Sequence, residues 1–284
     1  MTIGKKIRLI ESRVIEATQE TQDTWTLHFQ TEDRNYLPGQ FLSIDPKQFP
    51  ELSELVAYLE AKKGKREVVR AYSMASAPHE STVSITIKPE RFSPEHDDYP
   101  PLLSPFLASA AIKGRLVRFL GYTGPYTLPL DLPEHTDEVL HLAAGSGIVP
   151  NFSLLKDQLI QNRHPEVRHT LVYVNKTEED TIFRTQIELL AHQYPDRFRY
   201  VPVLTREQKA GVFYGRPTLD LIRSLMNDPN RVLVYACGSE VSKWHRKKAE
   251  ISGISPTPRF IESISHMMKE IGIDRKRFKF ESYG

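Results

Sequence analysis

The hydrophobic rhythm of this chain changes once, near residue 130, and that change limits the folds open to it. Before it, residues 14–18, 24–29, 82–87 and 115–120 alternate apolar and polar side chains, and 41–44 follows a Pro38-Gly39 turn. Period-two alternation marks half-buried strands, and several short strands between turns predict a small antiparallel barrel. After it, apolar runs at 139–144, 170–174, 200–204 and 231–236 alternate with helix-like segments at 151–161, 181–192 and 218–226. Strands alternating with helices predict a parallel, doubly wound sheet. Pro129, Pro133 and the polar stretch 134–138 read as the linker, giving a β plus α/β organisation with domains at 1–133 and 134–284.

Composition bounds the partners. Of 284 residues, 39% are hydrophobic and 26% charged, and the formal net charge is only +2. That balance suits a soluble chain with a sizeable core and implies no nucleic-acid partner. No uninterrupted apolar run is long enough to span a bilayer, and no apolar block follows the basic N-terminal residues. Neither a membrane partner nor a signal peptide is expected, and a cytoplasmic location follows as the expectation. Cys237 is the single cysteine, so the chain makes no internal disulfide. An iron–sulfur cluster takes about four cysteines. The ten histidines show no metal-ligand spacing and read as surface or core residues.

Two segments carry chemistry. Arg70-Ala71-Tyr72-Ser73 has residue types suited to a flavin nucleotide: a guanidinium for phosphate, a ring for the isoalloxazine, a hydroxyl for its reactive edge. On a strand Arg70 and Tyr72 share one face. Alone, the same alternation fits an ordinary amphipathic strand. Gly145-Ser146-Gly147 stands between a strand and a helix, where glycines let backbone approach a pyrophosphate. Position 150 is Pro, so Gly-x-Gly-x-x-Gly is not met, and alone the run reads equally as a plain βα turn.

The pieces follow one another in a definite order. Pro38-Gly39-Gln40-Phe41, Arg70-Ala71-Tyr72-Ser73, Leu103-Ser104-Pro105 and Gly124-Pro125 come first. Gly145-Ser146-Gly147-Ile148-Val149-Pro150, Thr205-Arg206-Glu207, Cys237-Gly238 and Glu281-Ser282-Tyr283-Gly284 follow. The series resembles the ferredoxin–NADP reductase family of flavoproteins, especially its bacterial branch. The resemblance implies an FAD-binding barrel and an NAD(P)-binding α/β domain. It assigns FAD to Arg70, Ala71, Tyr72, Ser73, Ile87, Lys88, Leu103, Ser104 and Tyr283, with Tyr99 a candidate stacking ring. It assigns NADP to Gly145, Ser146, Gly147, Lys176, Arg206, Arg216, Cys237 and Gly238, and catalysis to Ser73, Cys237, Glu281 and Tyr283. The family's glycine shortly before Ser104 is replaced here by Pro101 and Leu102.

By the resemblance, hydride passes from NADPH, favoured over NADH by the three cations, to FAD. With no cluster of its own, the chain is expected to reduce a separate carrier, ferredoxin or flavodoxin. The reductase component of an oxygenase system is the near alternative, and a flavin-binding subunit without turnover the distant one. Two insertions depart from the family pattern, at about 46–67 and 239–258. The first has helical spacing at Leu52, Leu55, Val56 and Leu59. Its basic residues Lys62, Lys63, Lys65 and Arg66 fit a docking face for an acidic carrier or a plain solvated loop. The second holds helix-like 240–252 before a further helix-like run at 259–271.

Overall fold

The computed structural model describes residues 8–95 and 97–283. The extreme N-terminal residues and Gly284 lie outside them. The chain divides into two compact units, Met1–Pro125 and Tyr126–Gly284.

The first unit contains β1 (Leu9–Thr21), β2 (Thr24–Gln30), β3 (Phe41–Ile44), α1 (Ser53–Lys63), β4 (Arg70–Ser73), β5 (Val83–Ile87), α2 (Ser104–Leu107) and β6 (Leu116–Thr123). The strands form one antiparallel six-stranded sheet in the order β4-β3-β6-β1-β2-β5. Its two outer strands meet through a Met74–Ile85 bridge, reinforced where the Ala75 N–H donates to the Ser84 carbonyl at 2.7 Å. The sheet thus curls into a barrel, which removes the open edges that invite aggregation. Alternation fills the interior with Leu27, Phe29, Leu42, Ile44 and Phe119, all buried. Phe29 meets Phe119 edge-on at 5.6 Å. The first insertion forms α1, which buries Val56 and Leu59 against this core as the helical spacing predicts.

The second unit contains β7 (Glu138–Ala144), α3 (Ile148–Ile160), β8 (Arg168–Asn175), α4 (Arg184–Gln193), β9 (Phe198–Leu204), β10 (Phe213–Tyr214), α5 (Leu219–Ser224), β11 (Val232–Ser239), α6 (Lys243–Ser252), α7 (Phe260–Ile271) and β12 (Phe278–Tyr283). All neighbouring strands are parallel, in the order β10-β9-β8-β7-β11-β12. The chain winds outward from β7 through β8 to β10, then returns to β7's other side at β11. The order therefore reverses between β7 and β11, and ligands of open α/β sheets bind beyond the carboxyl ends of strands at such a reversal.

Two expectations change. The units divide at Pro125/Tyr126, ahead of the linker read at 129–138. The reason is packing: Tyr126 is buried edge-on against Tyr235 at 5.2 Å, and Leu128 and Leu132 cover the same cluster. The prolines of this stretch are thus already part of the second unit. The segment that carries Glu281 and Tyr283, where the sequence pattern marks no strand, is the sheet's outer strand β12, registered on β11 from Val234↔Phe278 to Ser239↔Tyr283.

The segment after β11 divides sharply. Helix α7 buries Ile261, Ile264 and Met268, spaced for one helical face. Helix α6 buries no residue and is tied to α7 by Arg246 on Glu262 at 3.0 Å. Among the described residues, no helix is long and apolar enough to cross a membrane, and no group of three or more His, Cys, Asp or Glu could hold a metal ion.

Candidate functional site

In the second unit the elements converge at the sheet's reversal point. Gly145–Gly147 forms a single 3-10 turn after β7 and leads directly into α3. Gly145 adopts φ 52°, a left-handed conformation that glycine reaches without a Cβ clash. Gly147 answers a different need. A Cβ there would collide with the Cys237 carbonyl and stand 2.8 Å from the Gly238 nitrogen. The turn and the end of β11 therefore touch backbone to backbone. Pro150 is tolerated because it falls in the first turn of α3, where its missing N–H has no helical partner to lose.

A buried polar chain supports the turn from below. Asn151 donates from Nδ2 to the Gly147 carbonyl at 3.2 Å. Its Oδ1 accepts from Tyr126 at 3.1 Å and faces His141 Nδ1 at 3.0 Å. His141 Nε2 in turn faces His169 Nδ1 at 3.1 Å. Oδ1 can only accept, so His141 carries its proton on Nδ1 and His169 donates to its Nε2. Burial lowers His141 to about 4 and pushes His169 down as well, so both rings are neutral. These are core histidines, as the sequence suggested. The support they give the turn was not legible, because it joins residues distant in sequence.

Cys237 is fully buried in β11, between Ala143 of β7 and Glu281 of β12 in register. Burial pushes its thiol well above the ordinary value, and the nearby Glu281 carboxylate pushes it further. It is a neutral thiol and no nucleophile at physiological pH. The Tyr283 ring packs against the cluster of Tyr126, Val139, Tyr235 and Cys237. Gly238 leaves no room for a side chain, since a Cβ would meet the Phe260 ring at 2.5 Å.

The three expected cations gather near the ends of β8, β9 and β10. The Arg206 N–H donates to the Lys176 carbonyl at 2.9 Å, and the Gly215 N–H to the Leu204 carbonyl at 2.8 Å. Lys176, Arg206 and Arg216 are exposed. A depression of about 480 Å³ lined by Leu130, Asp131, His164 and Glu166 lies instead beside the start of β7, away from the glycine turn.

In the first unit β4 lies on β3, with Arg70 opposite Ile44 and Ser73 opposite Phe41. Arg70 and Tyr72 are half-buried, Ala71 is exposed and Ser73 is buried. Tyr72 packs against the barrel core, and burial pushes its hydroxyl well above the ordinary value. Ile87 and Leu103 are core residues, so only their backbone can face a ligand. Ser104 Oγ accepts from the Glu90 N–H at 3.3 Å. Lys88 is paired with Asp23 at 2.9 Å. Tyr99 lies under Lys63, 5.0 Å from its ammonium.

The basic cluster 62–66 is not one uniform solvated face. Lys63 is bound at 2.6 Å to Glu67, whose side chain is 3% exposed. Glu67 was absent from the expected site, although its spacing from Lys63 and Arg70 was visible. The reason is that a lone Glu after a lysine run carries no motif.

Residues 142–242 match the family model described as the oxidoreductase NAD-binding domain. The chain is 28% identical over 287 residues to the ferredoxin reductase component of 3-ketosteroid-9-alpha-monooxygenase from Rhodococcus rhodochrous, covering 99% of this chain and 66% of that protein. It is 30% identical over 165 residues to NADH-cytochrome b5 reductase 2 of Ajellomyces capsulatus, covering 57% of this chain. That match spans about half the length of the relative, 49%. Among solved structures, the flavohem-like FAD/NAD-binding domain of nitric oxide dioxygenase from Vibrio cholerae superposes with a TM-score of 0.69 at 18% identity, covering 96% and 98% of the two chains. An H286L mutant of ferredoxin-NADP+ reductase from Plasmodium falciparum gives 0.67 at 18%, covering 97% and 96%. Residues 142–242 thus carry an oxidoreductase NAD-binding domain, and the chain as a whole has the fold, a barrel ahead of a parallel sheet, that these solved reductase structures share.

Proposed function

We propose that this chain is an FAD-dependent NADPH oxidoreductase that passes electrons to a separate redox protein. The observation that carries the reading is the meeting of the Gly145–Gly147 turn with Cys237-Gly238 at the point where the strand order reverses. Bound FAD would take hydride from the nicotinamide and release electrons singly to a carrier. The chain supplies binding and orientation. Arg70 grips flavin phosphate, Tyr72 lies along the isoalloxazine and Ser73 hydrogen-bonds its reactive edge. Ile87, Lys88, Leu103 and Ser104 line the rest of the flavin nucleotide, the first and third through backbone.

For the dinucleotide, the N–H groups of Gly145, Ser146 and Gly147 and the start of α3 receive the pyrophosphate. Lys176, Arg206 and Arg216 surround the ribose phosphate that distinguishes NADPH from NADH. Cys237 offers a neutral, unreactive wall beside the nicotinamide, and Gly238 keeps that wall flat. Glu281, paired in register with Cys237, holds and moves a proton at the nicotinamide edge. Tyr283 stacks on the bound flavin until nicotinamide displaces it.

The acceptor is a ferredoxin or flavodoxin in this reading. A second reading, the reductase component of an oxygenase system, is favoured by the alignment to such a component along 99% of this chain. The test is anaerobic mixing of the purified yellow protein with NADPH. Rapid bleaching of the flavin is expected, with FAD, not FMN, released on denaturation. A protein that holds flavin but is not bleached by either nucleotide would be a binding subunit without turnover. Ferredoxin, flavodoxin and oxygenase components then compete as acceptors in the same assay.

A further inference from the structure

The first insertion places a buried carboxylate between two cations, one of them at the head of the proposed flavin strand. Glu67 Oε1 accepts from Lys63 Nζ at 2.6 Å, and its Oε2 accepts from the Arg70 guanidinium at 2.5 Å. The Glu67 N–H donates to Glu60 Oε1 at 2.8 Å, and Glu60 is paired with Lys47 at 2.7 Å. Arg70 also donates to the Val68 carbonyl at 2.5 Å. The Glu67 side chain is 3% exposed, whereas Lys63 and Arg70 keep 16% and 33% of theirs open. Burial alone would raise the Glu67 carboxyl. The hydrogen bonds from Lys63 and Arg70 outweigh it and hold the group below its ordinary value, so it stays charged.

Burying a carboxylate is costly unless its partners are well placed, and one cation would suffice to neutralise it. Here two share it, leaving a local charge of one positive unit on two donors. The two oxygens of a single carboxylate hold those donors side by side. A diphosphate presents anionic groups in the same close pairing. Helix α1 supplies the second cation, which gives the unexplained insertion a role at the barrel.

We propose that Glu67 is a positioning residue that holds Lys63 and Arg70 together as a two-cation cradle for the flavin diphosphate, with Lys63 its second phosphate ligand. The proposal rests on the reading of Arg70 as the flavin-phosphate residue.

The sign of one substitution separates positioning from simple charge. Removing a negative charge beside a phosphate site should tighten binding if only Coulomb attraction matters. Losing a positioning residue should loosen it. The full chain, freed of flavin, is titrated with FAD and with riboflavin, which lacks phosphate. Glu67→Gln and Lys63→Met are each expected to weaken FAD about tenfold, with riboflavin affinity unchanged. The double variant should be little weaker than either single one. Unchanged or tighter FAD binding in Glu67→Gln, or an equal loss for riboflavin, overturns the proposal. If Glu67→Gln does not fold by circular dichroism, Glu67→Asp decides instead: with the charge kept and the reach shortened, FAD binding is expected to weaken while riboflavin binding holds, and unchanged FAD binding overturns the proposal. Arg70→Ala is the control: retention of FAD there overturns the underlying reading of Arg70, whatever Glu67 does.

Discussion

Gly147 is the residue where sequence and structure meet most tightly. Gly147→Ala forces a methyl group onto the Cys237–Gly238 backbone, which cannot rotate aside as a side chain can. Overpacking of this kind costs up to about 3 kcal/mol. The urea midpoint is expected to fall accordingly, with dinucleotide affinity falling further than flavin affinity. The cations make a second expectation at this scale. A charge-assisted contact to the ribose phosphate is worth roughly 1.5–3 kcal/mol. Arg206→Ala and Arg216→Ala should therefore each raise KM for NADPH about tenfold or more, with NADH kinetics barely moved. Equal effects on both nucleotides would end the NADPH assignment. The glycine turn was legible as a pattern, Gly-Ser-Gly between strand and helix. Its reason was not, because the colliding backbone comes from residue 237. Lys63 was misjudged for a related cause: charge runs face water by default, and only the fold shows that Glu67 is buried behind this one.

At the scale of elements, strands with clean alternation were located, but their ends were not always: the alternation at 14–18 is the middle of β1, which runs Leu9–Thr21. Residues 41–44 are β3 and 24–29 fall within β2. Helix α7 was legible because its apolar face, with Ile261, Ile264 and Met268 buried, repeats at helical spacing. Strand β12 was not, since a six-residue segment at a chain end has no flanking turn to mark it and its neighbour β11 is distant in sequence. Its position changes what a tail variant should do. Tyr283→Ser leaves the β11–β12 ladder intact, since the pairing is carried by backbone. It should tighten binding of the oxidised dinucleotide, slow product release and alter the flavin absorbance envelope, without lowering the melting temperature by more than a few degrees. Removing Phe278–Tyr283 altogether should instead destabilise the second unit by exposing β11 as an edge. If both variants behave alike, the ring has no role separate from its strand.

For the whole molecule, the change of rhythm near residue 130 predicted the order of the two architectures, barrel then parallel sheet. The barrel expected from those strands is the one observed, whereas the division at Pro125 rests on the packing of Tyr126, which no local pattern records. The buried histidines give the molecule a pH limit. His141 is lowered to about 4 from an ordinary 6.5. Below 6.5 the unfolded chain takes up a proton that the folded chain refuses until about pH 4. Stability should thus be full above 6.5 and fall across that window as pH drops, by about 1.4 kcal/mol per unit for one such group. His169, lowered in the same direction, steepens the slope. Urea midpoints from pH 7 to 4.5 should show the decline, and His141→Gln should flatten it. A slope unchanged in that variant would place the acid sensitivity elsewhere.

The contact that bars a side chain at Gly147 also sets an order in time. The turn closes against Cys237, and α3, β8, α4, β9, β10 and α5 all intervene along the chain. Drawing such distant segments together costs loop-closure entropy before their contacts offset it. The turn reaches its final shape only once β7 and β11 have paired. A nascent chain still short of residue 232 can therefore hold the first barrel and much of the second unit's helix, yet have no finished place for a dinucleotide. Competence to bind it arrives only once residues 232–239 have emerged and paired with β7.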